Sequence, residues 1–250
     1  MMGAALVTGA ARRIGRALAL EAARAGYAVA VHHRDLGDAD AASLVSEIES
    51  NGGRATALAA DLSDAAALGA LVGQAQAALG PVTLLVNNAS AFHDDRFGGL
   101  GDHWDEHFDV NLRAPVLLAQ AFAKALPADL DGLIVNILDQ RVWRPNPQFF
   151  SYTLAKSALW TATQTMAQAL GPRIRVNGIG PGPTLPSVHQ SGADFEAEVR
   201  GVILQKKVSP ADIAQALHYL IEATSVTGQM IAVDAGQHLA WKTPDIVGEV

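Results

Sequence analysis

Tyr152 and Lys156 stand four residues apart in Tyr-Thr-Leu-Ala-Lys, so on a helix both side chains project from one face. A phenol near its ordinary pKa of about 10 is a poor acid–base group at neutral pH, and an ammonium beside it favours phenolate and lowers that value. The pair reads as a proton-transfer unit. Asp139 ends the apolar run Ile134-Val135-Asn136-Ile137-Leu138, thirteen residues before Tyr152. A carboxylate there accepts hydrogen bonds from ring N–H and amino groups but repels the alkoxide that develops when a simple ketone is reduced. The alternative is that Asp139 turns away and pairs with Arg141 or Arg144. Ser151 is the neighbouring helical position, about 100° round the axis, and points away from the face that Tyr152 presents.

A second group lies near the start of the chain. Thr8-Gly9-Ala10-Ala11-Arg12-Arg13-Ile14-Gly15 follows the apolar run Ala4-Ala5-Leu6-Val7. A glycine-bracketed turn that opens a helix offers free N–H groups and a positive dipole end to a pyrophosphate. Gly9 suits the tight turn, and Gly15 lets the helix approach the strand. Arg34 stands nineteen residues beyond Gly15, where an enzyme selective for NAD places an acid on the ribose 2′-hydroxyl. An arginine there suits a 2′-phosphate, and Arg13 is a second guanidinium for that phosphate or the pyrophosphate. The cofactor expected is therefore NADPH/NADP. The alternative is a solvated Arg34 with Asp35 reading the ribose. Asp61 and Leu62 follow the third strand, beside the adenine, although Asp61 also suits a helix N-cap. Asn87-Asn88-Ala89-Ser90 closes the fourth strand at the carboxyl edge, where open α/β sheets bind ligands.

The elements that position these residues alternate short β-branched runs with alanine-rich stretches of helical spacing. Strands are expected near 4–8, 28–33, 55–60, 82–87, 132–138, 174–179 and 229–233, with helices over 13–25, 38–50, 64–79, 102–126, 151–170 and 210–222. This is an α/β pattern: a single doubly wound Rossmann domain over 1–250, with a seven-stranded parallel sheet and helices on both faces. Residues 181–209 lack clear periodicity apart from a short amphipathic piece, Phe195 to Leu204, and are expected to form a substrate-loop lid.

Composition narrows the function classes. The 250 residues carry no cysteine, 50% hydrophobic residues and a net charge of −7. The absence of cysteine removes thiolate catalysis and Cys-ligated metals, and suits the cytoplasm. With no run of more than two basic residues, no nucleic-acid partner is expected, and no apolar stretch approaches a membrane span. No metal is expected either. His103 and His107 have a ligating spacing but no third ligand is evident, so they read as a solvated helix face.

Taken in order along the chain, these motifs resemble the short-chain dehydrogenase/reductase family over essentially all 250 residues. The resemblance makes Tyr152 the proton donor or acceptor and gives Lys156 a second role on the nicotinamide ribose. It has Asn111 hold a water in the proton relay, sets Pro181-Gly182 as the turn after the sixth strand, and implies a homotetramer. The family's serine at the end of the fifth strand is replaced by Asp139, and its glycine after Asn-Asn-Ala by Ser90. Those two replacements, with Arg12-Arg13, His32-His33-Arg34 and Ser90-Ala91-Phe92, are similar to the pteridine reductase branch, including the bacterial dihydromonapterin and dihydrofolate reductases. The family resemblance and this likeness together add Arg12, His33, Asn88, Ala89, Ser90, Pro181 and Gly182 to the expected cofactor contacts. The likeness makes Ser90, Phe92, Asp139 and Tyr152 the substrate residues, with Phe92 stacking a flat bicyclic ring against the nicotinamide. The expected small-molecule substrate is a pterin. A general ketone or quinone reductase would share Tyr152 and Lys156, and a non-catalytic dinucleotide sensor would share only the turn.

Overall fold

The computed structural model describes residues 2–101, 103–186 and 191–241. Seven strands, β1 (Ala4–Val7), β2 (Ala28–His33), β3 (Ala55–Ala59), β4 (Val82–Asn87), β5 (Gly132–Ile137), β6 (Ile174–Pro181) and β7 (Met230–Val233), form one sheet in the order β3-β2-β1-β4-β5-β6-β7. Every pairing is parallel. The helices are α1 (Arg13–Arg24), α2 (Ala39–Ser50), α3 (Ala65–Leu79), α4 (Trp104–Phe108), α5 (Ala114–Ala125), α6 (Phe150–Leu170), α7 (Gly192–Gly201) and α8 (Pro210–Glu222).

Alternation along the buried strands divides the interior into two layers. In β1, Ala5 and Val7 pack with Leu18 of α1, Leu44 of α2 and Leu217 of α8, whereas Ala4 and Leu6 face Leu68 of α3 and Leu118 and Phe122 of α5. Strand order reverses between β1 and β4, which opens a crevice at their carboxyl ends. Asn88 pins this crevice: its side-chain amide donates to the carbonyls of Thr8 and Gly9 at 2.9 and 3.0 Å. The Thr8 hydroxyl in turn accepts from the N–H groups of Asn88 and Ala89.

Two elements differ from the periodicity. The helix expected over 102–126 is interrupted by a π-turn, Asp109–Arg113, between α4 and α5. Asn111 sits in that turn, fully buried, and its amide closes two hydrogen bonds of 2.9 Å with the backbone of Ala91. Within 181–209 the chain forms α7 over 192–201, ahead of the piece expected from Phe195 to Leu204. A capping box accounts for the shift, since Ser191 and Asp194 each satisfy the other's backbone N–H. Phe195 and Val199 then bury the inner face of α7. Among the described residues no helix is long and apolar enough to cross a membrane.

Candidate active site

The crevice holds a groove of about 380 Å³ lined by Gly9, Arg12, Arg13, Ile14, Gly15, Arg34, Asp61, Leu62, Asn88, Ala89 and Ser90, together with His32, Ala60 and Glu106. Gly9 has φ +59°, in the left-handed region that glycine tolerates. A Cβ on Gly15 would run into the Gly9 carbonyl oxygen, so the helix can approach the turn this closely only without a side chain. The first turn of α1 carries no acidic residue, and its N-cap Arg12 makes no side-chain cap bond. Its N–H groups are therefore open to an anion, and the donor set fits a dinucleotide phosphate.

The cations round the groove are held in different ways. Arg34 pairs with Asp61 at 3.2 Å and Glu106 at 3.8 Å. Arg12 pairs with Asp38 and Asp40. Arg13 takes a left-handed backbone, φ +52°, and its guanidinium donates to the carbonyls of Leu185 and Pro186 at 3.2 to 3.3 Å. It thereby ties the turn to the segment leading to α7.

His33 lies outside this groove, and its neighbour His32 takes the place expected of it. Alternation along β2 puts the two rings on opposite faces of the sheet. His33 is buried and turns Nδ1 to the Asp35 carbonyl at 2.8 Å. His32 Nδ1 accepts from the Gly9 N–H at 3.0 Å, and its Nε2 donates to the Ala60 carbonyl at 3.0 Å. Burial brings the His32 pKa down to about 4, so the neutral ring that holds the turn is the form present at neutral pH. The likeness to the pteridine reductase branch pointed to His33 and gave His32 no role of its own.

A second, larger cavity of about 570 Å³ adjoins the carboxyl ends of β5 and β6 and the inner face of α7. Asp139, Phe92, Pro181 and Gly182 line it, as do Arg141 and Phe149. The Tyr152 hydroxyl donates to Asp139 Oδ2 at 2.9 Å, while Asp139 Oδ1 accepts from the Arg141 backbone N–H at 2.8 Å. Asp139 therefore faces the phenol, and its bond to Arg141 is a turn contact with the backbone instead of an ion pair.

This geometry corrects the expected acidity of the phenol. Burial and then the Asp139 carboxylate raise the Tyr152 pKa well above 10, outweighing Arg141 and a hydrogen bond with Ser90. Lys156 does not bring it down: its Nζ donates to the Ile137 carbonyl at 2.7 Å and lies 5.8 Å from the centre of the phenol ring. Burial lowers the Lys156 pKa to about 8. In the resting site the phenol is a held proton, ready to be given.

Other residues also take unexpected positions. Phe92 meets Tyr152 edge-on and stacks on Phe149 with ring centres 4.2 Å apart, so one of its faces is already covered. His107 is completely buried, unlike a solvated helix face. Its Nδ1 bonds Ser151 Oγ at 2.6 Å and its Nε2 accepts from the His93 N–H at 3.0 Å, while the Ser151 hydroxyl also bonds Asp95. Ser151 does turn away from the Tyr152 face, and this network anchors the segment that carries Phe92. His103 instead meets His93 and Glu106 at the surface, their ligating atoms all within 4.8 Å of one another. Apart from the local His103–Glu106 pair, pattern alone offered no signal for these contacts, because they join separate segments of the chain.

The family model described as short chain dehydrogenase matches residues 3–196. The chain belongs to the short-chain dehydrogenase family. It is accordingly an oxidoreductase, and its relatives cover nearly its whole length. The FolM alternative dihydrofolate reductase 1 of Brucella suis, solved in complex with NADP, is 52% identical, with a TM-score of 0.94 and coverage of 98% of this chain and 99% of that one. A blue fluorescent protein from a metagenomic library, solved with NADPH, is 32% identical at a TM-score of 0.88, covering 94% and 98% of the two chains. A 3-oxoacyl-[acyl-carrier-protein] reductase of Staphylococcus aureus is 29% identical over 96% of this chain and 99% of its own.

Proposed function

We propose that this protein is a dihydropterin reductase that uses NADPH. The observation that carries the reading is the 2.9 Å bond between the Tyr152 hydroxyl and the Asp139 carboxylate at the wall of the larger cavity. A pterin edge presents ring N–H and amino donors to a carboxylate and needs a proton at nitrogen when the neighbouring carbon is reduced. Tyr152, held protonated, supplies that proton, and Asp139 orients the edge. A simple ketone offers the Asp139 carboxylate no donor, and that carboxylate would repel its developing alkoxide. The 52% identity with the alternative dihydrofolate reductase of Brucella suis supports the same substrate class.

NADPH supplies the hydride from the adjoining groove. Gly9, Gly15 and the open first turn of α1 receive the pyrophosphate, and Arg34 meets the 2′-phosphate by exchanging its exposed pairs with Asp61 and Glu106. Leu62 and Asp61 border the adenine, Asn88, Ala89 and Ser90 line the path towards the nicotinamide, and Lys156 holds its ribose. Asn111 acts by fixing Ala91, between Ser90 and Phe92. Pro181-Gly182 and α7 close the cavity as a lid. Four copies assembling through α5 and α6, in the cytoplasm, complete the reading, and Leu154, 40% exposed on α6, is an apolar contact for such an assembly.

The test is NADPH oxidation measured side by side with dihydromonapterin, dihydrobiopterin, dihydrofolate, a 3-oxoacyl thioester and a simple ketone. Turnover confined to the dihydropterins and dihydrofolate is expected. Vigorous reduction of the ketone or thioester with none of the pterins overturns the reading.

A further inference from the structure

The larger cavity contains a cation whose hydrogen-bond donors neither Asp139 nor Tyr152 takes up. Arg141 Nε and Nη1 are buried and find no hydrogen-bond acceptor among the described residues. Its guanidinium carbon lies 4.9 Å from the centre of the Phe149 ring and 5.8 Å from that of Phe92. The aromatic faces compensate part of the lost hydration, but a ring face is no substitute for an oxygen acceptor at each N–H. A buried guanidinium with open donors at a cavity wall is complementary to a ligand oxygen, and a planar fork of this kind prefers a bidentate partner.

The position of Arg141 indicates which part of a ligand that oxygen belongs to. The ring edge already has its reader in the Asp139 and Tyr152 pair, joined at 2.9 Å. The Arg141 guanidinium lies instead against the stacked Phe92 and Phe149 rings, and Gln140, Asn146 and Gln148 line the same cavity. At about 570 Å³ the cavity is ample for a substituted bicyclic ring. We propose that Arg141 forms a subsite, separate from Asp139 and Tyr152, that binds an oxygen-bearing substituent on the substrate ring and selects such substrates over those with a bare apolar substituent.

This inference rests on the dihydropterin reading, and its test separates the two. Wild type, Arg141→Met and Arg141→Lys are compared on 7,8-dihydromonapterin, which carries a trihydroxypropyl chain, and on 6-methyl-7,8-dihydropterin, which carries only a methyl group. A charge-assisted bidentate contact predicts a KM for dihydromonapterin about tenfold or more higher in Arg141→Met, with the methyl compound moving less than about threefold. Arg141→Lys should recover part of the difference. NADPH affinity, measured by fluorescence titration, should match wild type in both variants and shows that they are folded. If the KM values for both pterins rise together, or neither moves, the subsite assignment is overturned while pterin reduction stands. If wild type turns over neither pterin, both readings fail.

Discussion

The groove and the cavity meet at Ser90 to Phe92, yet they are built by opposite means. The groove is shaped by backbone: a glycine at φ +59°, a second that admits no Cβ, and the open first turn of α1. Its basic side chains pair with surface acids, as Arg34 does with Asp61 and Arg12 with Asp38 and Asp40. The cavity is shaped by side chains from the segment of Phe92 to Arg96, the turns after β5 and β6, and α7, and its guanidinium has open donors. A groove of this kind suits a ligand of fixed chemistry such as a dinucleotide. A cavity of side chains can change its ligand by a few substitutions while the fold stays in place.

Single changes on the cavity side should affect turnover and spare the cofactor. The largest effect is expected of Tyr152→Phe, which removes the held proton: kcat should fall by about 10²–10⁴, the scale of acid–base contributions, with NADPH affinity unchanged. Near-normal kcat in that variant would reassign the acid. Asp139→Ser should lower kcat/KM for dihydropterins by roughly ten- to a hundredfold, the worth of one charged hydrogen bond, while simple ketones gain as a neutral donor replaces the carboxylate. A parallel fall for both substrate classes would show that Asp139 does not discriminate between them.

The groove should behave in the reverse way. Arg34→Ala should weaken NADPH binding about tenfold and leave NADH almost untouched, because only the 2′-phosphate is lost as a partner. Equal losses for the two cofactors would place the phosphate elsewhere.

A smaller effect concerns acid stability. The folded state protonates His32 only near pH 4, whereas the unfolded chain does so near 6.5. Between those values the unfolded state binds the additional proton, so this contribution to stability is complete above about pH 6.5 and is lost as pH falls towards 4, on the order of 3 kcal/mol in all. Thermal melts at pH 7 and 4.5 should therefore converge in His32→Asn relative to wild type. An unchanged pH dependence in the variant would remove His32 from the account.

The groove was largely legible in the sequence because its determinants are local. A glycine bracket after an apolar run, and an arginine at the end of the next strand, act through backbone geometry set within a few residues. His32, a single step before His33 in a period of two, lines the groove and carried no signal of its own in the sequence. The cavity was legible only in its most local part, the four-residue spacing of Tyr152 and Lys156. That spacing did not reveal that Tyr152 is buried against Asp139, which reverses the expected shift in its acidity. The Ser151–His107 contact spans 44 residues and the Phe92–Phe149 stack a longer stretch still, so only the folded chain brings these partners together. The Ser191 and Asp194 capping box, by contrast, was present in the sequence as a local pattern for α7.

The Phe92–Phe149 stack makes ligand entry at that face an exchange. A flat ring that takes this face displaces another flat ring, so what Phe92 contributes to affinity is the difference between two stacks, each on the order of 1 kcal/mol. The protein carries its own competitor, tethered and always at the same effective concentration, and weakening that competitor at Phe149 should tighten ligand binding without touching a single residue that reads the substrate.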